Sequence, residues 1–474
     1  MNNFKQKSLY AILAGLTVAG VAGTAQAVNI SPNGTGQVLI YPYYTVRSVN
    51  GLAYNSLLSV VNTTASTKSV KIRFREGKNS KEVLDFNIFL SPFDMWTGAL
   101  GPSASGGTVM TTADASCTIP PIPAGGVEFR NLGYVGDSGG DTLDRTREGY
   151  VEIFEMATYS PVAPLNVVHT NALHSQTTGL PVNCTLVTDT VGATEALPPL
   201  GGLMGGMQFI NVGAGASAAF DAVALDNFRA ASIYRTTGQT QPAFGDADPN
   251  SAVVTANSLV FSNSWVFGAD AVSSALIHDA VLNEYILDTG TNSQTSWVVT
   301  FPTKNEYVKD GIGAAAALFA KNFSGGVSCD DIILTIWDRE ERTPQGSTGV
   351  DFSPRIPGAS GPQLCAEANI VTFNGKDVFG STNNPVSVTT TNQNGWLRIG
   401  LQAAPHSLTA TATRTNLRTG VVTAAGPTTY VGLPVVGFAA FTYTNSNAVT
   451  VGGVKFAAAY GLGYQHRYST TVTP

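Results

Sequence analysis

Along most of the chain, apolar residues recur at every second position or run unbroken for five to nine residues between clusters of Gly, Pro, Asn and Ser. "QVLIYPYYTV", "SLLSVVNTT", "SVKIRFRE", "VLDFNIFL", "GYVEIFEM", "GGMQFINV", "SWVVTFPT", "DIILTIWD" and "GWLRIGL" are all of this kind. Successive side chains of an extended strand point to opposite faces, so this pattern predicts strands joined by short turns. The predicted fold class is mainly β, made of β-sandwich units with one or two short helices. Helical spacing shows in "ADAVSSALIHDAVLNEYIL", where Val272, Leu276, Ala280 and Tyr285 fall near one face behind Asp270 as an N-cap, predicting a helix over 269–287. "SAAFDAVALDNF" predicts a further short helical turn.

Charge is densest in "KIRFREGKNSKEVLDFNIFLSP". Val70, Ile72 and Phe74 alternate with Lys71, Arg73 and Arg75, and Leu84, Phe86 and Ile88 alternate with Asp85 and Asn87. A hairpin with this pattern sends its apolar set inward and its ionic set to one solvated outer face, with Arg73 or Arg75 across from Asp85. A basic stripe interrupted by acids makes a poor track for anions, so the expectation is a wet hairpin face rather than a site.

Residues 1–27 read as a signal peptide: Lys5 and Lys7 give a positive start, Leu9 to Ala22 an apolar run, and Ala25-Gln26-Ala27 a small-x-small cleavage pattern. A spanning helix needs about 20 apolar residues, and no later segment offers them, so no transmembrane segment is expected in the mature chain. The Pro- and Gly-rich "EALPPLGGLMGG" marks the expected boundary between an N-terminal β-sandwich domain, 28–200, and a C-terminal mainly-β domain, 201–474. Cys117, Cys184, Cys329 and Cys365 are even in number and lack CxxC spacing. In an exported chain they predict two disulfides, with nearest-neighbour pairing favoured among three connectivities.

The formal net charge is −6, and it becomes more negative once Lys5 and Lys7 leave with the leader. Nucleic acid, which demands clustered Lys and Arg, is not an expected partner. Charged residues make up only 12% of the chain, about half the usual ~25%. Thr, Ser and Asn fill the polar positions instead, a surface suited to packing against copies of itself or other envelope material.

Candidate chemistry is sparse. "GDSGGD" is similar to the loop around the nucleophilic serine of chymotrypsin-like proteases, but the first histidine, His169, follows Ser138 instead of preceding it. Asp137, Asp141 and Asp144, and likewise Asp246, Asp248 and Asn250, raise structural calcium, although neither loop completes a calcium-binding pattern and solvated turns are the expectation. His169 and His174 lie five apart and His278, His406 and His466 stand alone, a poor zinc set. Asp338, Glu340 and Glu341 in "WDREERT" lack a second defined carboxylate partner for glycosidase chemistry. No catalytic, cofactor-binding or metal residue is therefore assigned, and the four cysteines are the only site residues.

"VLIYPYYTV", "LLSVVNTT", "KIRFREGKNSKEVLDFNIFLSPFDMWT", "REGYVEIFEM" and "SWVVTFPTK" together resemble a group of exported, functionally uncharacterised proteobacterial cell-surface proteins. The resemblance implies a secreted, Gram-negative envelope or extracellular setting, with the periplasm as an alternative, and no known active site. "LLSVVNTTASTKSVKIRF" with "VLDFNIFLSPFDMWT" is similar to the paired strands of bacterial immunoglobulin-like modules. The leading expectation is a non-catalytic structural or interaction protein that self-associates or joins envelope proteins through strand edges. "VNISPNGTGQVLIYPYYTV" and "YSTTVTP" are its candidate donor strands. The alternatives are an adhesin or carbohydrate-binding protein, with glycans as partners stacked on Tyr43, Tyr44, Trp96 or Trp396, and a secreted hydrolase.

Overall fold

The computed structural model describes residues 27–134, 136, 138–308, 318, 319, 323, 326–343, 361–383, 386–403, 406–445, 450, 451, 454, 455 and 458–473. The leader up to residue 26, and Asp137, lie outside the described residues. Strands dominate, and the segments named from period two are all strands.

The first two sheets come from residues 29–226. A seven-stranded sheet runs in the order Asn29–Ile30, Val223–Asp226, Val38–Thr45, Glu148–Tyr159, Thr67–Glu76, Glu82–Leu90, Cys117–Ile119. A six-stranded sheet runs Val127–Glu128, Thr108–Thr111, Met95–Pro102, Asn55–Asn62, Leu203–Asn211, Ala216–Asp221. Tyr41, Ile72, Phe74 and Ile153 from the first meet Leu58, Val60, Trp96, Met207 and Phe209 from the second in one apolar core. The strands on both sides of "EALPPLGGLMGG" belong to these same sheets, Leu203–Asn211 pairing with Asn55–Asn62. Sheet membership changes only after Asp226, beyond the expected boundary at 200/201.

The two sheets differ in how they meet water. Asn55–Asn62 alternates between half-buried and buried residues, as expected when one face is covered. Thr67–Glu76 is buried at all ten positions. The outer face of the seven-stranded sheet lies beneath Gly268–Leu276 and Phe244 at one end and beneath Val168, Ala172 and Val187 at the other. Carbonyls of Thr236, Gln239 and Pro242 cover its middle. The expected wet hairpin face is thus corrected. Lys71 and Arg73 are at most 2% exposed, because chain more than 150 residues away folds across them.

A second group of sheets follows. Its central sheet runs Val386–Val388, Ala368–Phe373, Gln294–Thr300, Val436–Asn445, Ala458–Gln465, and is antiparallel except for the first pair. Period two splits these strands between two cores. Val298, Ile370, Phe438 and Ala440 enter the first core, while Trp297, Val299, Val371, Ala439 and Phe441 enter a second. The second core is closed by a four-stranded sheet, Ile333–Asp338, Asn394–Gly400, Ala280–Ile286, Arg467–Ser469, and by a five-stranded one. The five-stranded sheet runs Ser251–Ala256, Leu259–Ser264, Ser407–Asn416, Val422–Val431, Thr471–Thr473.

Two local expectations change. The helix runs only from Gly268 to Leu276, with Phe267 at its N-cap and Asp270 inside the first turn, where it accepts the Tyr307 hydroxyl at 2.8 Å. Ala280–Ile286 is a strand, because Val281 and Tyr285 lie four apart, a spacing that serves either period, and pairing with Asn394–Gly400 selects the extended form. "SAAFDAVALDNF" forms strands Ala216–Asp221 and Val223–Asp226, since the neighbouring strands supply hydrogen-bond partners that outweigh alanine's helical preference. Disulfides join Cys117 to Cys184 and Cys329 to Cys365, the nearest-neighbour pairing.

Candidate functional site

The buried charges assemble into ion pairs, some across one hairpin and others between strands far apart in sequence. Lys71 pairs with Asp85 at 2.9 Å, Arg73 with Glu82 at 2.5 Å and Arg75 with Glu152 at 2.8 Å. Arg73 is directly opposite Asp85, as expected, yet the long cationic side chains reach diagonally, so Lys71 takes Asp85. Arg145 grips Glu76 through two nitrogens, at 2.8 and 2.9 Å. Lys68 meets Glu155 at 2.5 Å, and Glu155 also accepts from the Leu200 and Gly201 amides, which fastens the Pro/Gly-rich stretch to the sheet. Burial raises the Glu155 carboxyl's pKa against the lowering pull of Lys68.

Glu148 joins the two groups of sheets. It accepts from the Tyr43 hydroxyl at 2.8 Å, from Arg47 Nε at 3.0 Å, and from Ser381 and Thr382 at 2.5 to 2.9 Å. Glu367 sits beside Gly77, its amide donating to the Gly77 carbonyl at 2.9 Å. Burial pushes its carboxyl well above the carboxylate range, only partly offset by Lys304. Lys304 pairs with Asp330 at 3.0 Å, and His406 lies 3.3 Å from the same carboxylate. Sequence reasoning missed these groups. Cationic and acidic positions that alternate on two strands hinted at the Arg75–Glu152 pairing, but nothing local announces Glu148 meeting Thr382 or Glu367 meeting Gly77.

A cleft of about 710 Å³ opens beside the network, lined by Arg73, Arg75, Lys81, Glu82, Asp246 and Glu306 among others. Both of its guanidinium groups are committed: Arg73 to Glu82 and the Pro242 carbonyl, Arg75 to Glu152 and the Ser80 carbonyl. The arrangement packs the 228–247 segment onto the sheet and leaves neither guanidinium poised for a ligand phosphate.

The other candidates are dispersed. Asp144 pairs with Arg47 at 2.8 Å, and Asp246 accepts from Gln241 and the Ala243 amide. Asp248 faces Arg229 at 3.6 Å, and Asn250 donates to the Val266 carbonyl. The Asp141 carbonyl accepts from Asn131. Among the described residues no group of three or more His, Cys, Asp or Glu is placed to hold a metal. His169 bonds Thr67 and His174 bonds Ser91, each on its own. Asp338 caps its own turn through the Glu340 and Arg342 amides and the Arg342 side chain.

Tyr43, Tyr44 and Trp96 are fully buried, which removes them as sugar platforms, whereas Trp396 is 38% exposed and stacks on Trp337 with centroids 4.0 Å apart. Neither tail is a loose donor strand. Asn29–Ile30 pairs with Val223–Asp226, and Val38–Thr45 is interior to its sheet. Arg467–Ser469 pairs with Ala280–Ile286, and Thr471–Thr473 with Val422–Val431.

That last strand leaves an edge open. Thr471–Thr473 covers only Thr429–Val431, so among the described residues Val422 to Thr428 have a strand neighbour on one side alone. Val422 to Ala425 are exposed, and "VTAAGPT" carries no charge.

No helix among the described residues is long and apolar enough to cross a membrane. The fold and its bonds define a mainly β, multi-sheet, sandwich-like protein stapled by two disulfides. Comparison with family models, curated proteins and solved structures finds no match to this chain.

Proposed function

We propose that the mature chain is an exported cell-surface or extracellular structural protein, without catalytic activity of its own, that joins copies of itself through open sheet edges. The observation that carries this reading is the edge of Val422–Thr428, which among the described residues has a strand neighbour on one side alone. Exposed edges present rows of N–H and C=O groups that accept another strand, and proteins that must stay apart blunt them with charge, proline or a covering segment. Between Val422 and Thr428 the sequence offers one proline, Pro427, and no charged residue. Two such edges related by a two-fold axis would pair antiparallel and make one continuous sheet. The leader pattern and two disulfides support an oxidising compartment outside the cytoplasm.

The test is sedimentation velocity and electron microscopy of the purified mature protein beside a Thr423→Lys/Ala425→Lys variant. The wild type should assemble with increasing concentration, and the variant should associate roughly tenfold more weakly while melting at the same temperature. A wild type that stays monomeric at high micromolar concentration, or a variant that assembles as well as the parent, refutes the reading.

A further inference from the structure

A second surface lies at the far side of the second core. On the four-stranded sheet, Glu284, Trp396 and Trp337 are cross-strand neighbours in one row. The alternate positions Val281, Tyr285, Ile336 and Leu397 enter the core, so this row projects outward. The two indoles lie nearly parallel, 12° apart. On the neighbouring sheet, Tyr443 is opposite Tyr460, and Tyr460 and Tyr464 are 60% and 54% exposed. Their strand is held in place from behind, where Gly461 and Gly463 press against the Ser217 and Ala219 carbonyls so closely that a Cβ would not fit. The strands carrying the two patches meet where Asn283, next to Glu284, donates from its side-chain amide to the Tyr464 carbonyl at 3.3 Å. Burial, then the Tyr464 phenol and the Glu284 carboxylate, raise the Tyr443 phenol's pKa, which places all three within electrostatic reach.

We propose that Trp337, Trp396, Glu284, Tyr443, Tyr460 and Tyr464 form a binding surface for an uncharged glycan chain. Flat aromatic faces take the C–H face of sugar rings, and exposed aromatics spaced along strands offer successive stacking points. Electrostatics selects among occupants. Glu284 is exposed and has no ion pair among the described residues, while the nearby Arg398 is committed to Asp279 at 3.1 Å. An apolar protein partner would bury that carboxylate unpaired, at a large desolvation cost, and an anionic polymer would be repelled by it. Sugar hydroxyls donate hydrogen bonds to it instead. This surface is independent of the open strand edge.

Affinity electrophoresis of the mature protein through gels containing a β-glucan, a xylan or a galactomannan tests the assignment, with alginate and heparin gels as anionic comparisons. At least one neutral polysaccharide should retard the protein. Trp396→Ala and Tyr464→Ala should each weaken that retardation roughly tenfold, and Glu284→Gln should weaken it with no change in melting temperature. Retardation by none of the neutral polymers, retardation by the anionic ones alone, or variants that bind like the parent would each overturn it. So would a Trp396→Ala variant whose changed property is self-association in place of glycan retardation.

Discussion

His278 and His466 pin the C-terminal segment to the second core in a form that acid should break. His466 lies against Trp297, with its ring nitrogens facing the Val298 carbonyl at 2.9 Å and Asn283 at 3.1 Å. His278 stacks on Tyr468 with centroids 4.3 Å apart and bonds Thr470 at 2.8 Å. Burial lowers the pKa of each from 6.5 to about 3. A histidine held neutral in the fold but free to protonate when unfolded makes the unfolded state the better proton acceptor between those values. Stability is therefore whole above pH 6.5 and is lost as pH falls toward 3. At about pH 4.5 each imidazole costs about 2.7 kcal/mol relative to neutral pH, and the pair about 5 kcal/mol if independent. That is comparable with the whole stability of many domains.

The assay is urea unfolding followed by tryptophan fluorescence at pH 7 and pH 4.5, on wild type, His466→Gln and His278→Gln. Each variant should begin less stable at pH 7, yet lose about 2.7 kcal/mol less than wild type on acidification. Carboxylates such as Glu155, whose pKa burial raises, shift the pH dependence of all three proteins alike and drop out of the difference. Variants whose acid loss matches wild type to within about 0.5 kcal/mol would show that these imidazoles are solvated, and the reasoning from burial would fail.

Two further outcomes follow from the interior. Lys68→Met strands the Glu155 carboxylate in the sheet and should cost about 3 to 5 kcal/mol in chemical denaturation. Adding Glu155→Gln should recover much of that loss, and a double variant no better than the single would contradict an origin in uncompensated charge. Replacing Cys117 and Cys184 together by Ser opens a 67-residue separation, and replacing Cys329 and Cys365 opens one of 36. Chain entropy gives about 4 kcal/mol for each, slightly more for the longer loop. Thermal melts should rank the two pairs in that order, all the more because Cys117 also packs with Phe89, Met156 and Tyr159.

Strand positions were legible because a strand with at least one buried face must alternate or run apolar whatever covers it. "VLDFNIFL" maps onto Glu82–Leu90 and "GWLRIGL" onto Asn394–Gly400 for that reason. What covers a strand was not legible. Lys71 and Arg73 carry the same outward signature whether they face water or the Thr236 and Pro242 carbonyls, and the covering segment has no local mark. The same limit hid the aromatic surface. Tyr43, Tyr44 and Trp96 share their residue types and strand settings with Trp396, and only the placement of sheets decides that three go inside and one stays out.

The placement of charge bears on assembly. Arg47, Lys68, Lys71, Arg73, Arg75, Arg145 and Lys304 are buried, as are Glu76, Glu148, Glu152, Glu155, Glu195, Asp279, Asp330, Asp338 and Glu367. A chain with only 26 basic and 32 acidic residues thus commits many of them to its interior, leaving a surface poorer in charge than its composition already implies. Long-range repulsion between copies is correspondingly weak, and so is the protection that charge gives to sheet edges. The interior pairs act in the opposite direction on specificity. A strand shifted by one residue would carry Arg73 or Glu152 into the apolar core, so the chain's own register is strongly fixed, while the uncharged edge at Val422–Thr428 has a strand neighbour on one side alone among the described residues. Interior ion pairs that fix one fold, combined with an uncharged edge, are the physical basis on which the proposed assembly would join copies of this chain without disturbing the structure of each.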